Sequence, residues 1–158
     1  SLSNKGNYID GIPDGLAETF YSNGQLKNRC HFKNGKIDGL YEEYFKDGQL
    51  KKKLYMKNEK FDGPSETYFP NGNLWQSSNH KEEKMHGLQI ENYEDGSLKF
   101  RNNCVDGEFE GLQDAYYQNG QLWFKFNVYN GKKHGTLEKY NEDGSVIKIE
   151  KYENGVLV

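Results

Sequence analysis

Glycine returns in this chain at a fixed interval. Gly15, Gly39, Gly63, Gly87, Gly111 and Gly135 stand 24 residues apart, and so do Gly24, Gly48, Gly72, Gly96, Gly120 and Gly144. A third series holds Gly11, Gly35, Gly107, Gly131 and Gly155, with Glu59 and Glu83 in its two remaining slots. Of the 18 glycines, only Gly6 falls outside these series. A period of roughly 20–50 residues marks a repeat array, in which each unit buries its surface against its neighbours. The register divides the chain into six units without an insertion: 15–38, 39–62, 63–86, 87–110, 111–134 and 135–158. Residues 7–14 match the closing third of a unit, so residues 1–14 are expected to be an N-terminal remnant that includes the tail of a preceding repeat at 7–14.

The glycines also predict the local structure. Asn-Gly or Asp-Gly occurs in every unit, beginning at Asn23, Asp47, Asn71, Asp95, Asn119 and Asp143. Between aromatic and Leu-bearing segments this is a strong hairpin signal, because a type I′ turn needs positive φ at both central residues. A second turn is expected at Asn34-Gly35-Lys36 and its equivalents, looser or bent in units 2 to 4, where Glu59 and Glu83 replace glycine and Pro64 replaces leucine. Each unit then contributes two short antiparallel strands. The predicted fold is all-β, an elongated, twisted, single-layer meander of about twelve strands.

Charge tests the register. A turn at Asn23-Gly24 sets Glu18 opposite Arg29, and the same offset pairs Glu42 with Lys53 and Asp114 with Lys125. No unit places like charges together at this offset, and opposite charges there favour the pairing. Alternation then predicts two faces. One carries Tyr21, Phe45, Phe69, Tyr93 and Tyr117 opposite leucines, and the other carries Phe20, Tyr44, Tyr68, Tyr116 and Tyr140 opposite Lys27, Lys51, Trp75, Trp123 and Ile147.

Composition narrows the function. Hydrophobic residues are 34% of the 158, too few for a large central core, yet aromatics reach 15%, too many for a disordered chain. A net charge of −3 excludes a general affinity for nucleic acid. No apolar run is long enough for a transmembrane segment, which leaves peripheral lipid contact as the membrane option. The chain starts at Ser1 and Leu2 without an initiator Met, so a processed or cloned start is expected and localisation stays open.

The segment Gly-Leu-Tyr-Glu-Glu-Tyr-Phe-Lys-Asp-Gly-Gln-Leu-Lys at 39–51, with Asn-Gly-Lys-x-x-Gly at 34–39 and 130–135, resembles the MORN repeats, and more closely their bacterial variant form. The resemblance covers residues 7–158. It implies a scaffold or binding module without shared catalytic residues. Bacterial relatives are often labelled antitoxin-like, which would make the partner a toxin protein in the cytoplasm. Eukaryotic arrays have been linked to phospholipid.

Few side chains invite chemistry. His86 and His134 share a register two units apart, roughly 19 Å by strand spacing, beyond the reach of one metal ion. Cys30 and Cys104 fall three units apart, about 29 Å, too far for a disulfide. Consecutive carboxylates such as Glu42 and Glu43 point to opposite faces and do not cooperate as acid and base. Neither an enzyme nor a cofactor or metal is expected. Two rows remain as binding candidates. Lys36, Lys60, Lys84 and Lys132 share a position along one edge, as an anion-binding row would. Tyr44, Tyr68, Trp75, Tyr116, Trp123 and Tyr140 are the candidate partner-binding row, since Tyr and Trp are frequent interface anchors. Another protein is the expected partner. Carbohydrate, including cell wall, and a phospholipid surface are the alternatives, and oligomeric state is left open.

Overall fold

The structure is a computed structural model that describes residues 4–158; residues 1–3 of the N-terminal remnant, with the Ser1–Leu2 start, lie outside the described residues. β1 (Asn4–Ile9) and β2 (Ile12–Phe20) are joined across Asp10-Gly11, β3 (Leu26–Lys33) and β4 (Lys36–Tyr44) across Asn34-Gly35, and β5 (Leu50–Lys57) and β6 (Lys60–Tyr68) across Asn58-Glu59. β7 (Leu74–Lys81) precedes a short β8 (Lys84–Met85) and β9 (Gly87–Asn92), and β10 (Leu98–Val105) precedes β11 (Glu108–Phe109) and β12 (Gly111–Tyr116). β13 (Leu122–Tyr129), β14 (Lys132–Tyr140), β15 (Val146–Glu153) and β16 (Val156–Leu157) complete one open, antiparallel, 16-stranded sheet in sequential order. The described residues contain no helix. The strand number exceeds twelve because β1 precedes the six units and the last unit closes with the short β16, and because β8 with β9 and β11 with β12 are single repeat strands interrupted at His86 and Glu110.

The charge-derived register is present. Glu18 opposes Arg29, Glu42 opposes Lys53 and Asp114 opposes Lys125. The turns differ from expectation. At the Asn/Asp-Gly pairs only glycine has positive φ, as at Gly24 with φ +85°. The Gly24 amide donates to the Tyr21 carbonyl at 2.9 Å, and the Tyr21 amide donates to the Gln25 carbonyl at 2.8 Å. That is a three-residue loop, a type I turn closed by a glycine bulge, and not type I′. The residue before glycine has another task. The Asn23 Oδ1 accepts from the Gln25 amide at 3.1 Å, and Asp47, Asn71, Asp95, Asn119 and Asp143 repeat the bond. Asn and Asp are therefore selected here for a side-chain oxygen that caps the loop.

Type I′ geometry belongs to the second turn, with φ +51° at Asn34 and +78° at Gly35. Glu59 and Glu83 do not loosen it; they adopt φ +68° and +69° themselves. The preceding unit enforces this. The Glu59 amide donates to the Ile37 carbonyl at 2.8 Å, and the Asn58 amide donates to Asp38 Oδ2 at 3.2 Å. The Glu83 amide likewise donates to the Phe61 carbonyl at 2.9 Å. Stacked turns thus impose a conformation that an isolated glutamate avoids.

A bulge recurs in every hairpin and alters the face assignment. Thr19 opposes Asn28 but Phe20 opposes Leu26, leaving Lys27 without a counterpart. The same shift leaves Lys51, Trp75, Lys99, Trp123 and Ile147 unopposed. The expected pairing of Phe20 with Lys27 and of Tyr21 with Leu26 is therefore corrected, because one extra residue re-aims the side chain.

Burial is concentrated on one side of the sheet. Cys30, Leu54, Cys104, Ala115, Val128 and Leu137 are buried, together with Gln89 and Gln113, and Asp114 is buried on the other side against Arg101. Most of these face one way by alternation from the Ala17–Cys30–Tyr41–Leu54 register. We call this the packed face. The opposite, ladder face carries the charged register beginning at Glu18 and Arg29.

Candidate binding face

The ladder face closes on itself. Arg29 Nε lies 3.1 Å from Glu18 Oε1, and its Nη1 lies 3.5 Å from Glu42 Oε2. Lys53 bridges to Glu66 at 2.8 Å, Arg101 Nε donates to Asp114 at 3.1 Å, and Lys125 bridges to Glu138 at 3.0 Å. Tyrosines two residues after the carboxylates share their face by strand alternation. The hydroxyls of Tyr68, Tyr116 and Tyr140 donate to Glu66, Asp114 and Glu138, the last two at 3.2 and 2.8 Å. Burial and the neighbouring Glu42 charge push the Tyr44 phenol up. These four tyrosines orient the acidic half of the ladder.

Trp75 and Trp123 lie on the packed face. Trp75 packs against Phe69 with ring centroids 5.6 Å apart, and Trp123 packs against Tyr117 and Phe124 at 5.9 and 5.1 Å. Lys27, Lys51 and Lys99 hold the equivalent bulge positions, and their ammonium groups sit 6.0, 6.0 and 5.8 Å from the rings of Tyr21, Phe45 and Tyr93. The six residues expected to form one row therefore divide, four tyrosines on one face and two tryptophans on the other. The bulge is the reason.

Around Trp123 the packed face opens into a shallow groove of about 280 Å³, lined by Phe100, Phe109, Ala115, Phe124 and Phe126. It continues toward the C-terminus past Leu137, Lys133, Lys139 and Lys148, where a second depression measures about 270 Å³. Trp123 keeps 40% and Phe109 52% of their surface exposed. Reading each residue type by repeat position misses this groove. Its sequence signal is a departure from the repeat, with Phe100 and Phe124 where other units have Asn28, Lys52, Gln76 and Lys148.

The basic row begins β4, β6, β8 and β14 with Lys36, Lys60, Lys84 and Lys132. Lys60 Nζ is held by Glu83 Oε2 at 2.9 Å, so at least one member of the row is neutralised by the next turn. Cys30 and Cys104 are free and buried, and burial pushes both thiols up, which keeps them protonated. Burial lowers the pKa of His80, whose Nδ1 has no hydrogen-bond partner. Among the described residues no three His, Cys, Asp or Glu side chains are grouped to hold a metal ion.

Among solved structures, the chain is similar at low identity to one protein complex in particular. A GtfA/B complex bound to UDP and GlcNAc is 13% identical over 80% of this chain, with a TM-score of 0.34. The chain spans about 24% of that protein's length. No curated protein matches the chain. The sequence profile of the MORN repeat variant family matches residues 13–34, 37–58, 61–82 and 133–154, whose starts are multiples of the same 24-residue period apart. With more than half its residues matched and the hairpin array of the structure, the chain belongs to the MORN repeat variant family.

Proposed function

We propose that the chain is a non-catalytic scaffold that binds a partner protein on its packed face. The supporting observation is the aromatic groove around Trp123, which is open to solvent and has no charged residue in its lining, although Lys51–Glu43 and Lys99–Glu91 pair elsewhere on that face. Partly exposed aromatic clusters are frequent anchors of protein interfaces. On this reading Trp75 and Trp123 dock the partner, Tyr44, Tyr68, Tyr116 and Tyr140 hold the sheet, and Lys36, Lys60, Lys84 and Lys132 tune the rate of encounter. An antitoxin-like role is one form of this function, with a toxin protein as the partner.

Affinity capture from the native organism, followed by titration with the captured protein, tests the reading. Trp123→Ala is expected to weaken binding about thirtyfold, as truncation of a central interface aromatic does. Tyr116→Phe should lower the melting temperature and leave Kd unchanged. A Trp123→Ala variant that binds normally ends the packed-face assignment. Saturable binding of glycans or phospholipid vesicles, with no protein captured, replaces it with a carbohydrate or phospholipid-surface function.

A further inference from the structure

Resting on that protein-binding reading, we infer that the partner presents an acidic segment bearing leucine- or phenylalanine-sized side chains to the C-terminal end of the packed face. The depression there is floored by Trp123, Phe124, Phe126 and Leu137, and the charged residues lining it are all lysines: Lys133, Lys139 and Lys148. A locally basic rim on a chain of net charge −3 selects for carboxylates.

The repeat itself marks these lysines as unusual. Lys139 and Lys148 stand directly opposite each other on β14 and β15. The same register holds Thr19 with Asn28, Glu43 with Lys52, Thr67 with Gln76, Glu91 with Phe100 and Ala115 with Phe124. At this register only the last unit sets like charges together, an arrangement that destabilises a sheet, although Lys33–Lys36, Lys57–Lys60 and Lys81–Lys84 also stand opposed beside the second turns. Lys148 has Glu150 at 2.9 Å, whereas Lys139 has no ion pair among the described residues. Lys133 replaces the Ile37, Phe61, Met85 or Phe109 found at its position in other units. Its ammonium group rests 5.7 Å from the Phe126 ring and 5.3 Å from the Tyr152 ring, at the groove wall. A carboxylate arriving over Lys139 would relieve the Lys139–Lys148 repulsion, while an apolar side chain beside it enters the aromatic floor. Both requirements are met by alternating acidic and apolar residues in one extended segment.

The test measures binding to the unaltered full chain by calorimetry, and uses Trp75→Phe only to assign the change in emission to Trp123. The probe is a short peptide of alternating glutamate and leucine. Saturable binding with a shift in Trp123 emission is expected, weakened at least about tenfold when lysine replaces glutamate or alanine replaces leucine. Lys139→Glu turns the opposed pair into an attractive one, so it should hold or raise the melting temperature while weakening the peptide several-fold. That combination separates a binding lysine from a structural one, and Lys139→Met supplies the neutral control. The inference is overturned if the Lys139 variants bind the peptide as the parent does, or if a glutamate–alanine peptide or an anionic vesicle binds equally well. A partner captured through Trp123 but indifferent to Lys139 overturns it while leaving the protein-binding function standing. A partner indifferent to both residues removes the two together.

Discussion

The Tyr21 hydroxyl donates to the Tyr44 carbonyl at 2.8 Å, reaching from one repeat to the backbone of the next. Tyr93 and Tyr117 make the same bond to Tyr116 and Tyr140 at 2.9 and 3.0 Å. Together with the stacked turns on the opposite edge, these bonds couple neighbouring units without a second layer of structure. Phe45 and Phe69 occupy the same register without a hydroxyl. Tyr93→Phe should therefore fit sterically and lose about 1 kcal/mol, the net value of one hydrogen bond. Phe45→Tyr should gain a comparable amount by bonding the next unit. Urea unfolding measures both, and a neutral Tyr93→Phe would show that the bond contributes nothing net.

Gly96 has φ +89° in its three-residue loop, with Asn73 the nearest side chain to a Cβ placed there, at 3.6 Å. Space is available but the backbone conformation is not. Gly96→Val should cost more than the ~0.4–1 kcal/mol typical of compatible glycine changes. An unchanged urea midpoint would contradict the observed turn.

Glu59→Gly should act in the opposite direction. Glu59 is held at φ +68° by the turn below it, and glycine adopts that conformation without the side-chain clash. A gain of about 1 kcal/mol is expected, reduced by the greater freedom of the unfolded glycine. Thermal unfolding that shows a loss would mean that Glu59 contributes contacts worth more than the strain.

Acid should weaken the ladder. Burial would raise the Glu66 carboxyl, but hydrogen bonds from Lys53 and Tyr68 outweigh it and hold the group below its ordinary range. Tyr140 and then Lys125 lower Glu138 in the same way. A depressed carboxylate contributes stability above its unfolded pKa, about 4.3 for glutamate, and loses it as pH falls through the folded value. Melting temperature should therefore fall below roughly pH 4.5, and less steeply in Glu66→Gln. Parallel pH profiles for the two proteins would remove Glu66 from the acid response.

The glycine period and the Glu18–Arg29 type of pairing made the hairpin array and most of its register legible before any coordinates. Both are local, repeated signals, and six copies average out the ambiguity of one. The assignment of Trp75 and Trp123 to the tyrosine face failed because strict alternation assumes an uninterrupted ladder, and the loop geometry that inserts a bulge just after Leu74 and Leu122 emerges only when the backbone closes. The turn at Glu59 failed differently: φ preference argues against a left-handed glutamate, but hydrogen bonds that the turn amides donate to Ile37 and Asp38 of the preceding unit override it. The groove was hidden for a third reason. Phe100 and Phe109 belong to one unit and Phe124 and Phe126 to the next, and only the pairing of β10 through β13 brings their rings onto one surface. A repeating sequence dictates what every unit shares, since each copy meets the same neighbours; the site arises where the units differ, and differences become adjacent only in the assembled sheet.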